Sequence, residues 1–142
     1  MSDHDEYLQD LTLLKQGERN YPQRPQDATL ETFGNRFADR DYWITFDCPE
    51  FTALCPVTSQ PDFGHITIRY VADQTCIESK SLKLYLYSFR NTNTFHEESV
   101  NRIHDDIIAA CKPRKLVVTG QFRPRGGIAI HVEVSYESPA AE

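Results

Sequence analysis

The sequence predicts an α+β domain of order ββααββ, an antiparallel sheet with two helices on one face. Three observations predict it. Four segments read as strands, the clearest of them alternating apolar and polar residues with period two. Two segments of helical period lie together between the strand pairs. The last two strands are joined by Arg123-Pro124-Arg125-Gly126-Gly127, whose glycines suit a hairpin turn. Antiparallel hairpins with grouped helices put both helices on one sheet face.

Residues 1–40 are polar, rich in Asp, Gln and Arg, and carry Pro22 and Pro25. Tyr7, Leu8, Leu11 and Leu14 allow one short amphipathic turn or two. This stretch reads as an arm lying on the domain or on a neighbouring subunit. The folded domain is expected over 41–137, with a short tail at 138–142.

Tyr42 to Asp47 reads as the first strand. Its partner is Gly64 to Ala72, where Ile66, Ile68 and Tyr70 alternate with His65, Thr67, Arg69 and Val71. The first helix is expected from Ser81 to Arg90, with Ser81 as N-cap. The second runs from about Phe95 to Lys112. Val100, Ile103, Ile107 and Cys111 share one of its faces, and Pro113 stops it. Lys115 to Phe122 and Ile128 to Tyr136 form the second strand pair, with Ile128, Ile130, Val132, Val134 and Tyr136 on one face.

The chain has 142 residues, enough for one domain with its own core. Its formal net charge is −6, against the basic excess of a nucleic-acid binder. Apolar runs are too short to span a membrane, and no secretory leader is expected. Cys48, Cys55, Cys76 and Cys111 form no C-x-x-C or C-x-x-H pair, so no structural zinc or other metal site is expected. The thiols are expected to be reduced in a cytoplasm.

Charge placement in Glu78-Ser79-Lys80-Ser81-Leu82-Lys83-Leu84-Tyr85 breaks a local rule. The first turn of a helix favours acids, because its free N–H groups make that end positive. Here Lys80 and Lys83 flank the expected cap. That placement suits an anion, phosphate being the usual one, or it is a solvated lysine face.

Cys55 lies in a loop stiffened by Pro56 and Pro61, and Asp62 follows seven residues later. A thiolate is the most nucleophilic side chain near neutral pH, and a nearby carboxyl can take or give its proton. The alternative is a buried thiol beside a turn aspartate. Phe95, His96 and Glu97 would make a recognition set for a flat ring with a guanine-like N–H edge. On the residues alone the plainer reading prevails: Thr94 and Glu97 form a capping box, which accounts for Glu97 without any function. Arg123 and Arg125 add charge to the hairpin. His65, His104 and His131 are scattered and form no metal constellation.

With these residues in place, the chain resembles the short, single-domain NADPH-dependent 7-cyano-7-deazaguanine reductases, nitrile reductases of queuosine biosynthesis and tRNA modification. Glu78 to Tyr85 fits that family's motif at every position. Cys55 with Asp62 matches its Cys-Pro loop, and Phe95-His96-Glu97 matches the start of its second helix. The resemblance runs from about Phe33 to Tyr136. It implies a tunnelling fold in which a homo-oligomer, commonly a decamer of two stacked pentamers, closes a barrel with sites at subunit interfaces. It implies Cys55 as nucleophile forming a thioimide, Asp62 and His96 as proton carriers, and Glu97, Ser79, Phe95 and Glu78 around a deazapurine substrate. It also implies NADPH on Lys80, Lys83 and Arg125, with no direct nucleic-acid partner. At Ser99 some short members carry a cysteine that could pair with the nucleophile, so a protective disulfide is left open.

Two other functions remain on the residues alone. Thr52-x-x-Cys55 is similar to a thiol-peroxidase motif, and a non-catalytic purine-binding ring protein would share the fold. A zinc-dependent cyclohydrolase is disfavoured by the missing Cys-x-x-His.

Overall fold

The computed structural model describes residues 21–139. The proposed amphipathic turns at Tyr7, Leu8, Leu11 and Leu14 lie outside them. A four-stranded antiparallel sheet has the order β2-β3-β5-β6, built from β2 Trp43–Leu54, β3 Pro61–Val71, β5 Lys115–Phe122 and β6 His131–Glu137. Helices α1 Ser79–Tyr87 and α2 His96–Cys111 are inserted between β3 and β5. The expected ββααββ order is therefore present. A smaller ladder accompanies it, β1 Thr32–Gly34 against β4 Thr75–Ile77.

Period two decides what is buried. Ile66, Ile68 and Tyr70 of β3 point inward and are fully buried, as are Leu116 and Val118 of β5. The apolar stripes of the two helices cover them, with Leu82 and Tyr85 from α1 and Val100, Ile103 and Ile107 from α2. The Tyr70 hydroxyl, deep in this core, accepts a bond from the Ile77 N–H at 2.9 Å. The opposite sheet face is mixed, carrying Thr45, Asp47, Thr67, Arg69, Thr119 and Glu133 together with Trp43, Phe63 and Val117.

Several element boundaries differ from those expected. β2 extends past Asp47 to Leu54 through a bulge between Cys48 and Phe51. Pro49 is tolerated there because β2 is an edge strand. The last strand begins at His131 rather than Ile128. Gly126 and Gly127 both take positive φ, 59° and 80°, and turn the chain within an Arg125–Ile128 bridge. Ile128 is consequently 68% exposed.

Both helix starts also differ. The N-cap of α1 is Glu78, not Ser81. Its carboxylate accepts from the Lys80 N–H at 2.8 Å and the Ser81 N–H at 2.7 Å. Ser81 sits inside the first turn, where its hydroxyl donates to the Glu78 carbonyl and accepts from the Glu31 N–H. The N-cap of α2 is Phe95 without a side-chain cap, so Thr94 and Glu97 form no capping box. The Thr94 hydroxyl donates to the Phe95 carbonyl instead.

A candidate active site at the Cys55 loop

Cys55 follows the last residue of β2, in a loop closed by its own backbone. The Cys55 N–H donates to the Gln60 carbonyl at 2.9 Å, and the Ser59 N–H donates to the Cys55 carbonyl at 2.8 Å. Ser59 takes φ 58° to complete the turn. This curl places Val57 and Thr58 in the turn that follows the sulfur, where the Thr58 hydroxyl also accepts from the Gln60 N–H at 3.3 Å. Together these two residues hold the half-buried Cys55 thiol below its ordinary pKa, Thr58 contributing most, while partial burial and the charge of Asp62 push the other way. Two other thiols behave differently: burial raises Cys48 to about 11 and Cys111 to about 12. A thiol held low in this way meets one condition for nucleophilic use.

Asp62 lies on the inner face of β3, cross-strand from Ala53, and is 8% exposed. Arg125 pairs with it at 2.8 Å through Nε and donates from Nη2 to the Pro61 carbonyl at 2.6 Å. The glycine turn at 126–127 lets the hairpin bring Arg125 back over the start of β3. Arg125, which the resemblance implies as a cofactor-binding residue, lies beside this carboxylate.

The segment before α2 is stitched to the same place. The Leu54 N–H donates to the Thr92 carbonyl at 2.9 Å, and the Thr94 N–H donates to the Leu54 carbonyl at 3.0 Å. These bonds set Phe95, His96 and Glu97 next to the Cys55 loop. Phe95 is 47% exposed, Glu97 is exposed on the first turn of α2, and His96 lies against the ring of Phe122. With no capping duty, the Glu97 carboxylate is free to accept N–H bonds.

Glu78, Ser79 and Lys80 stand at the far end of α1, roughly 13 Å along the helix axis from its other end. A groove of about 490 Å³ runs along α1 beside β2, lined by Ser79, Lys83, Leu86 and Arg90 and by Cys48 and Thr52. Lys80 faces a different hollow, shared with Glu31 and Glu78. Since Glu78 already occupies the first N–H groups of α1, an arriving phosphate would meet ammonium groups rather than the helix end. Thr58, Arg90 and Phe122 were missed in the sequence. The three-residue spacing of Cys55 and Thr58 could have exposed the first; nothing local marks the other two.

Fold and site together define a class: a single-sheet α+β domain carrying an activated thiol beside a buried, ion-paired carboxylate. Comparison with known proteins is more particular. The family model described as QueF-like protein matches residues 61–141. A protein of Streptococcus thermophilus named NADPH-dependent 7-cyano-7-deazaguanine reductase is 52% identical over 134 residues, 94% of this chain and 82% of the relative. A protein of the same name from Neisseria gonorrhoeae is 49% identical over 142 residues, 100% of this chain and 90% of the relative. Among solved structures, the apo form of the archaeosine synthase QueF-Like superposes with TM-score 0.61 over 70% of this chain and 96% of that one. At 17% identity, that likeness shows the fold alone. The chain belongs to the QueF-like family.

Proposed function

We propose that this protein reduces the nitrile of 7-cyano-7-deazaguanine to the primary amine, consuming NADPH; its relatives are named NADPH-dependent 7-cyano-7-deazaguanine reductases. The observation that carries the chemistry is the lowered Cys55 thiol beside Asp62. A nitrile carbon is linear and accepts hydride poorly. Addition of sulfur makes it trigonal and more electrophilic. The Cys55 sulfur forms a bond to the nitrile carbon as one C–N π bond breaks. The thiol proton passes to Asp62 and from there to the nitrile nitrogen, leaving a neutral thioimide.

NADPH, when bound, would supply the two hydrides, one for the thioimide carbon and one for the imine carbon, so one nitrile would consume two molecules. Between the two, Cys55 leaves as thiolate, which its low pKa favours. Asp62 or His96 gives the proton that the amine nitrogen still needs. Glu97 accepts N–H bonds from the base edge, Phe95 covers the ring, and Ser79 and Glu78 support the substrate side. Lys80 and Lys83 would hold the cofactor phosphates. Lys83 fits this role in the groove beside α1, where Arg90 adds a second cation.

The two edge strands, β2 and β6, each paired on one side only among the described residues, support assembly into a barrel of several subunits. A decamer of two pentamers would bring the α1 motif of one subunit to the Cys55 loop of another. The division into an arm at 1–40, a catalytic domain at 41–137 and a tail at 138–142 belongs to the same proposal, as does a cytoplasmic location.

One mixture tests the activity. With 7-cyano-7-deazaguanine and NADPH, nicotinamide absorbance should fall by two equivalents per nitrile, and Cys55→Ala should abolish both turnover and the thioimide absorbance. An adduct that persists in Cys55→Ala would overturn the nucleophile assignment.

A further inference from the structure

Resting on His96 as an active-site group, we propose that Phe122 is a positioning residue that orients the His96 imidazole, and that Gly64 and Gly120 are required so that it can. The His96 ring lies parallel to the Phe122 ring, with centroids 3.8 Å apart and planes 13° apart. Among the described residues, neither ring nitrogen of His96 has a hydrogen-bond partner. The stack therefore sets the plane of the imidazole and leaves both nitrogens available to a substrate. Its backbone is fixed independently, because the buried Ser99 hydroxyl donates to the His96 carbonyl at 3.1 Å.

Phe122 occupies space that exists only because two strand positions lack a side chain. Gly64 is its cross-strand partner, and Gly120 lies two residues before it on the same face. A Cβ at Gly64 would stand 2.6 Å from Phe122 Cδ1. A Cβ at Gly120 would stand 2.8 Å from Phe122 Cε2 and 2.6 Å from Val100 Cγ2. Gly64 has no turn to serve inside β3, and its φ is not positive. Glycine inside a strand weakens it, so close approach of a ring is the physical reason for this one. The edge of Phe51, 6.3 Å away at 75°, completes the seat.

The stack holds imidazole within the narrow angular range that proton transfer demands, and small misplacements there are costly. Phe122→Leu should lower kcat by about 10–100-fold with little change in the KM for the nitrile. Phe122→Tyr, which keeps the ring, should restore turnover. In a His96→Asn background, Phe122→Leu should cost nothing further. Equal losses in both backgrounds would overturn the proposal.

A second readout needs no turnover and covers the case in which Phe122→Leu does not fold. The His96 ring protons should resonate upfield in the wild-type protein under the ring current of Phe122. They should move downfield in Gly64→Ala, where the added methyl displaces that ring. Unmoved protons in folded Gly64→Ala would also overturn the proposal. A wild-type protein that oxidises no NADPH with the nitrile refutes the nitrile-reductase function instead, and the ring-proton shifts then decide the stack by themselves.

Discussion

Removing Arg125 separates two roles for that residue. Its guanidinium lies 2.8 Å from a carboxylate that is 9% exposed, while its own side chain is 43% exposed. Charge centres about 4 Å apart attract by about 4 kcal/mol at an effective dielectric of about 20. Desolvation of Asp62 and screening of the half-exposed arginine reduce this to about 1–2 kcal/mol net. Arg125→Ala should therefore destabilise the chain, and by about 1–2 kcal/mol less when Asp62 is already asparagine. Urea unfolding of the wild type, both single variants and the double variant measures this coupling near neutral pH. The same four proteins, mixed with the nitrile but no NADPH, report adduct formation by thioimide absorbance. With Asp62 left unheld, Arg125→Ala should slow the adduct about tenfold, the equivalent of about 1.4 kcal/mol. An arginine serving only the cofactor would leave the adduct rate untouched. Zero coupling in unfolding together with a wild-type adduct rate would refute the assignment of Arg125 to Asp62.

Two further outcomes follow from titrating groups. Thr58→Val removes the largest contribution holding the Cys55 thiol down, so the pH profile of Cys55 alkylation should move to higher pH; an unchanged profile would count against the loop as the source of activation. The Glu78 carboxyl is held below its ordinary 4.5, chiefly by the N–H of Lys80 and then of Ser81. A depressed carboxylate stabilises the fold above its unfolded value, and the contribution disappears as pH falls through the lower folded value. Glu78→Gln should thus lower the unfolding midpoint near neutral pH, and its gap to the wild type should close in acid. A gap constant with pH would refute the cap.

What could be read from the sequence followed from how local each cause is. The apolar stripe of α2 and the alternation in β3 declare themselves within a dozen residues, and Val100, Ile103, Ile107, Ile66 and Ile68 are buried accordingly. The start of α1 differs from the expected one because Ser81 has the commoner capping side chain, whereas Glu78 reaches forward to two N–H groups. Ile128 and Ile130 continued the alternation of β6 by composition, but the glycine turn ends the ladder before them. Cys55 and Asp62 were visible as a spacing, and their loop could be anticipated from Pro56 and Pro61. The pairing of Arg125 with Asp62 and the stack of Phe122 on His96 arise only when β3 and β5 align. No local pattern encodes them.

The double stitch at Leu54 has a mechanical meaning. One residue lends its N–H to Thr92 and its carbonyl to Thr94, so the strand that delivers the thiol and the lead-in to the imidazole helix share a single fastening. Neither can swing away while the other stays. A fluctuation that frees the nucleophile must also break the approach to α2, and the two should open as one cooperative unit. Amide exchange at Leu54 and Thr94 would then rise and fall together, and the site would be lost in one step rather than loosening group by group.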